Sequence, residues 1–170
     1  MEKALQIINQ MHHEGIFEHY AIGGGIAALF YVEPFVTFDL DIFVILRDDA
    51  GPLVSLSPIY DWLLRRGYVP QKEYIVIEGI PVQFIPVYND LVKDAVLDAC
   101  EQKYGNRTTF ALKKEYLLAI MLQTGRPKDR ERLGRLWEEA KMSTELLDAI
   151  LVKHGLKDAF DRFRRSFYVT

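Results

Sequence analysis

One cysteine in 170 residues, Cys100, excludes an intramolecular disulfide, so the chain is not a disulfide scaffold and its chemistry suits a reducing compartment. The four histidines, His12, His13, His19 and His154, have no metal-ligand spacing, which excludes a zinc site of the usual patterns. No Ser, His and acid set with a nucleophile signature is present, so serine-hydrolase chemistry is excluded as well. Apolar runs of membrane-spanning length are missing. The first residues, MEKALQIINQMHHE, mix charged and polar side chains with apolar ones, so neither a signal peptide nor a membrane span is read there. A cytoplasmic protein without a membrane partner is expected. Repeats, low-complexity tracts and long linkers are also lacking, which argues against solenoids and beads on a string.

What remains is an ordinary globular composition: 49% hydrophobic and 26% charged residues are enough for a core without pushing the chain toward disorder. The net charge of -3 conceals an asymmetry. Residues 1–112 carry 8 Lys and Arg against 15 Asp and Glu, whereas residues 113–170 carry 13 against 9. Such a split suits carboxylates holding cations beside a basic part that meets phosphates; solvated helix faces that merely differ in charge are the plainer reading. We therefore expect two parts in one compact unit, an α/β core over 1–112 and a helical part over 113–170 packed on it.

Ala4, Leu5, Ile8 and Met11 recur at helical intervals, so residues 3–14 read as an amphipathic helix stopped at Gly15. Tyr20 to Ile22 reads as a short strand, Gly23 to Gly25 as a turn, and Ile26 to Val32 as a helix ended before Pro34. Thr37 to Leu46 (TFDLDIFVIL) is rich in β-branched and aromatic residues and is expected as a central strand. Ser55 is placed to cap a helix running to Arg66. Glu73 to Ile77 and Ile80 to Val87 read as strands joined by Glu78-Gly79 in a hairpin. From Asn89 the pattern turns helical: Asp90 to Ala99, Lys113 to Thr124, Lys128 to Ala140, Thr144 to His154 and Leu156 to Phe167. The fold class is thus α+β, a mixed β-sheet with flanking helices followed by a helical C-terminal part.

Asp39 and Asp41 carry the chemistry. Residues two apart on a strand project to one face, and two carboxylates there repel each other unless they face water or share a cation. Mg²⁺ is held by one or two carboxylates together with substrate phosphates, which makes it the cation expected. Glycines 23, 24 and 25, lying between a strand and a helix start, allow a ligand close to the main chain, and amides at such a turn attract phosphate. Strand, glycine turn, helix, and then a strand bearing Asp-x-Asp is the order that sets a triphosphate between backbone amides and a carboxylate-bound metal.

Ala21 to Val44 (AIGGGIAALFYVEPFVTFDLDIFV) resembles the first motif of the DNA polymerase beta-like nucleotidyltransferase superfamily, a Gly-Gly or Gly-Ser turn followed by Asp-x-Asp. Tyr116 to Leu136 (YLLAIMLQTGRPKDRERLGRL) is similar to the helix-turn-helix segment with Arg-x-Lys-Asp of the branch containing abortive-infection, toxin-type nucleotidyltransferases. The resemblance implies a nucleotidyltransferase-like sheet bearing a metal site, and transfer of a nucleotidyl group from a nucleoside triphosphate with Mg²⁺ to a hydroxyl on RNA, protein or a small molecule. It also implies an antitoxin as partner. By the same resemblance Gly24 and Gly25 contact phosphates, with Gly23 completing the turn, Asp39 and Asp41 bind metal and carry catalysis, and Lys128 and Asp129 match the later nucleotide-binding motif.

Three positions depart from that pattern. A third carboxylate is usual on a neighbouring strand where Ile80 to Val87 offers Gln83, a lysine is usual where Met121 stands, and an aspartate where Arg132 stands. An amide neither accepts a proton at neutral pH nor replaces the missing charge. Glu73 or Glu78 supplies a third carboxylate only if the hairpin register brings one beside Asp39. Two functions therefore stay open: a nucleotidyltransferase, or a catalytically reduced nucleotide-binding or protein-interaction module on the same fold. Near the end of the chain, Arg162, Arg164 and Arg165 alternate with Phe163, Phe167 and Tyr168. That pattern is either an RNA or partner surface or an amphipathic helix with its aromatics turned inward.

Overall fold

The computed structural model describes residues 1–47 and 55–167, with the side chain of Lys128 left out. Helix α1 (Glu2–His13) buries Ala4, Leu5, Ile8 and Met11, the stripe its periodicity announces. Strand β1 (His19–Ile22) runs into the short helix α2 (Gly24–Ala28), and β2 (Leu40–Ile45), α3 (Ser57–Leu64), β3 (Pro70–Gln71), β4 (Tyr74–Ile77), β5 (Ile80–Pro86) and α4 (Asp90–Leu97) follow. A hairpin, β6 (Cys100–Tyr104) and β7 (Arg107–Ala111), then precedes α5 (Lys114–Thr124), α6 (Pro127–Glu139), α7 (Thr144–Lys153) and α8 (Lys157–Phe167).

Among the described residues the strands form a seven-stranded sheet in the order β3-β4-β5-β2-β1-β7-β6. β2 pairs antiparallel with β1 and parallel with β5, so the sheet is mixed and β2 is its central strand, as expected. Leu40, Ile42 and Val44 are fully buried on one face of β2, while Asp41, Phe43 and Ile45 take the other. α1 lies against β7, α4 against β1 and β2, and α5 touches α2, α4, α6, α7 and α8. α5 is apolar on nearly every side, which fits a helix enclosed by five others; its buried Glu115 accepts the backbone N–H of Ser143 at 2.7 Å just before α7 begins. No described helix is long and apolar enough to cross a membrane.

Six elements differ from the sequence expectation, among them α2, which spans Gly24–Ala28 rather than Ile26 to Val32. The hairpin of β6 and β7 falls where no strand is expected, because Glu101, Gln102, Lys103 and Thr108 give it no apolar alternation. Its β6 member is a sheet edge, where charged residues are the rule rather than the exception. The two-residue strand β3 is likewise too short to leave a pattern. The central strand begins at Leu40 rather than Thr37, and Val36 and Phe38 are 76% and 77% exposed in spite of their apolar character. Ser55 precedes the cap position of α3, which Leu56 occupies, although its hydroxyl still accepts the N–H of Ser57 at 3.2 Å.

Candidate functional site

The register of the sheet assembles the site. Asp41 lies opposite Gln83 on β5. On its other side the N–H of Gly23 donates to the carbonyl of Asp41 at 2.9 Å, so the last rung of the β1–β2 ladder ties the start of the glycine turn to the carboxylate strand. Gly24 has φ +57°, and a Cβ there would overlap Asp41 Oδ2, so the turn closes directly on the carboxylate. At Gly25 a Cβ would lie 2.5 Å from Thr37 Oγ1 and 3.1 Å from Arg132 Nη2. Asp39 is exposed, one position before β2 starts. The glycine turn and Asp41 are thus in contact.

A cavity of about 200 Å³ opens beside them. Asp41 and Phe43 of β2 and Gln83 and Ile85 of β5 form its sheet side, Leu117, Ile120 and Met121 of α5 its helical side, and Gly24 and Arg126 contribute to its polar rim. Tyr88 also lines it, and burial raises its hydroxyl pKa while the Arg126 charge opposes that rise.

Arg126 owes its place to the turn between α5 and α6. Gly125 ends α5 in the left-handed region at φ +59°, and Pro127 opens α6, where its missing N–H costs nothing. Asp129, fully buried, then grips Arg126 with two contacts, Nε to Oδ2 at 2.7 Å and Nη2 to Oδ1 at 3.4 Å. The Thr124 hydroxyl lies 3.2 Å from the same Oδ2, and Arg132 Nη1 lies 3.8 Å from Oδ1. Arg132 also rests over the ring of Phe35 at 5.6 Å. Asp129→Ala leaves both guanidiniums without their buried partner. Because Arg126 is partly hydrated, the expected loss is about 2 kcal/mol rather than the full cost of a broken buried pair. Urea unfolding measures it, and a loss below about 0.5 kcal/mol would show that Asp129 does not organise this turn.

The expected residues are therefore brought together unevenly. Gly24 and Asp41 line the cavity and Gly23 and Gly25 complete the turn, whereas Asp39, exposed and one position before β2, is not among the residues that line it. Asp129 is buried and held by arginines, and it is linked to the cavity through Arg126 and Thr124 rather than lining it. Lys128 belongs to α6, but its side chain lies outside the described residues. Met121 is buried and lines the cavity. Glu73 and Glu78 flank β4, which β5 separates from β2, and Glu78 instead accepts the Tyr68 hydroxyl at 2.8 Å; the register supplies no third carboxylate from them. Among the described residues no cluster of three His, Cys, Asp or Glu gathers that could hold a metal. Of the aromatics near the chain end, Phe163 turns inward toward the buried Phe160, which meets Trp137 edge-on at 5.2 Å; Tyr168 lies outside the described residues. Arg126 is a cavity residue that the sequence pattern does not mark out, although it opens the Arg-x-Lys-Asp segment three residues before Asp129 at the cap of α6.

No protein-family model and no curated protein matches the sequence. Solved structures are similar in fold. The crystal structure of an antigenic nucleotidyltransferase-like protein from Paracoccidioides brasiliensis matches over 94% of this chain and 93% of that one, at 12% identity and a TM-score of 0.57. ANT(2")-Ia in complex with adenylyl-2"-tobramycin is matched over 99% of this chain and 98% of that one, at 12% identity and a TM-score of 0.47. The first of these likenesses places the mixed sheet and helices of this chain in a nucleotidyltransferase-like fold.

Proposed function

We propose that this chain binds a nucleoside triphosphate with Mg²⁺ and transfers its nucleotidyl group to a hydroxyl acceptor. The observation that carries the reading is the contact of the Gly24 turn with Asp41 at the wall of a cavity rimmed by Arg126. The donor set fits the metal. Two carboxylates two residues apart offer the one or two hard oxygen ligands that Mg²⁺ takes from a protein when phosphates and water supply the rest. When bound, the cation neutralises phosphate charge and aligns the reacting oxygens.

The chain's own groups then have separable tasks. Gly24 and Gly25 let phosphate oxygens approach backbone amides. Arg126, fixed by Asp129 rather than free to search, faces the charge that grows as the acceptor oxygen bonds to the α-phosphorus and pyrophosphate departs. The acceptor proton passes to Asp41, the carboxylate that lines the cavity, since Gln83 cannot take it. The likeness of residues 116–136 to toxin-type nucleotidyltransferases favours RNA or protein as acceptor and an antitoxin as partner.

One observation favours a second reading. Gln83 stands on the rung beside Asp41, which suits a module that binds nucleotide without turning it over. Thermal unfolding with each nucleoside triphosphate, with and without Mg²⁺, followed by a search for a labelled acceptor, separates the two. A metal-dependent rise in Tm together with a labelled product supports transfer. The same rise without product supports the binding module, and no rise with any nucleotide sinks both.

A further inference from the structure

Among the described residues, the charges that surround the cavity are unequal to two cations. Sites with two metals hold them about 3.5–4 Å apart, where their repulsion has to be offset by bridging and flanking anionic ligands. Here the rung beside Asp41 carries the uncharged amide of Gln83, and the residues next along that face, Phe43 and Ile85, are apolar. Among the described residues Asp41 is the one acid lining the cavity, and Asp39 is exposed one position before β2. Positive charge is instead supplied by the protein. Arg126 lines the cavity, and Arg132 reaches the glycine turn, 3.1 Å from where a Gly25 Cβ would stand. Both are tied to the same buried Asp129, and Arg132 is further held against Phe35, so neither has to be ordered when an anion arrives.

Resting on the nucleotidyl-transfer reading above, we propose that the site takes a nucleoside triphosphate with a single divalent cation, that Gln83 limits the number to one, and that Arg132 balances part of the remaining phosphate charge at the glycine turn. Equilibrium dialysis with Mn²⁺ and a non-hydrolysable nucleoside triphosphate analogue counts the cations held per chain. One Mn²⁺ per chain is expected in the unaltered protein, and two in Gln83→Asp, whose new carboxylate stands on the rung beside Asp41. Arg132→Ala is expected to keep the count at one while weakening analogue binding about tenfold, the loss of one charge-assisted contact. Two Mn²⁺ in the unaltered protein overturn the inference and leave the proposed function standing. A Gln83→Asp chain that is folded by circular dichroism and still holds one overturns the role of Gln83, with Gln83→Glu as the companion variant. No analogue-dependent Mn²⁺ at all overturns the proposed function and this inference with it.

Discussion

Asp41→Asn is expected to lower nucleotidyl transfer by about 10³-fold or more and to remove the Mg²⁺-dependent stabilisation by nucleotide, while the ligand-free protein unfolds within about 1 kcal/mol of the original. The substitution keeps the shape of the side chain against Gly24 and changes only its charge and ligand strength. A nucleotide present at 100 times its Kd adds about 2.7 kcal/mol of apparent stability. For a chain of this size that is a rise of about 5–10 °C in Tm, well outside measurement error. The unaltered protein should show that rise with Mg²⁺, and the variant should show none. Asp39→Asn should lose turnover similarly, and because Asp39 is exposed its ligand-free Tm should not move at all. Should both variants turn over at the original rate, the carboxylate pair is not the catalytic centre and the proposed function falls.

The parts of the molecule that were legible in the sequence are those where one physical signal dominates. Leu40 to Ile45 is β-branched and aromatic enough to read as a strand, and its central place follows from that apolar character. Gly23 to Gly25 read as a turn before a helix, and the structure starts that helix two residues earlier, at Gly24. The β6–β7 hairpin was hidden because its side chains answer to a sheet edge in solvent and not to a core, although Gly105-Asn106 between its strands is itself a turn signal. Val36 and Phe38 misled in the opposite sense: they are strand formers by type, but they precede the ladder and are exposed, which sets Asp39 outside β2. The site was half legible. Local spacing yields Asp39, Asp41 and the glycines, whereas the partner of Asp41 across the sheet depends on register, which is decided by how β2, β5 and their loops pack together. In the sequence Arg126 and Asp129 belong to the Arg-x-Lys-Asp segment, Asp129 is expected to bind nucleotide, and Arg132 is a departure from the pattern. Only the fold shows that the acid between them is buried and that it aims one guanidinium at the cavity and the other at the glycine turn.

That closeness makes the glycine turn the second place where a small change should have a large effect. Gly24→Ala imposes two separate costs. The backbone at φ +57° is left-handed, which an L side chain adopts at a cost of about 1–2 kcal/mol. The added methyl also overlaps Asp41 Oδ2, so the carboxylate has to turn away from the turn it now borders. Backbone strain alone would lower Tm by about 2–8 °C and leave the ligand site as it was. Displacement of Asp41 would in addition abolish the metal-dependent rise with nucleotide. Gly67→Ala separates the two effects, since Gly67 has φ +85° and a Cβ there meets nothing within 4 Å. Gly67→Ala should therefore lose stability and keep the nucleotide response, whereas Gly24→Ala should lose both. Were Gly24→Ala to keep the full nucleotide response, the turn and Asp41 would not share one ligand, and the phosphates would have to be sought elsewhere along the cavity.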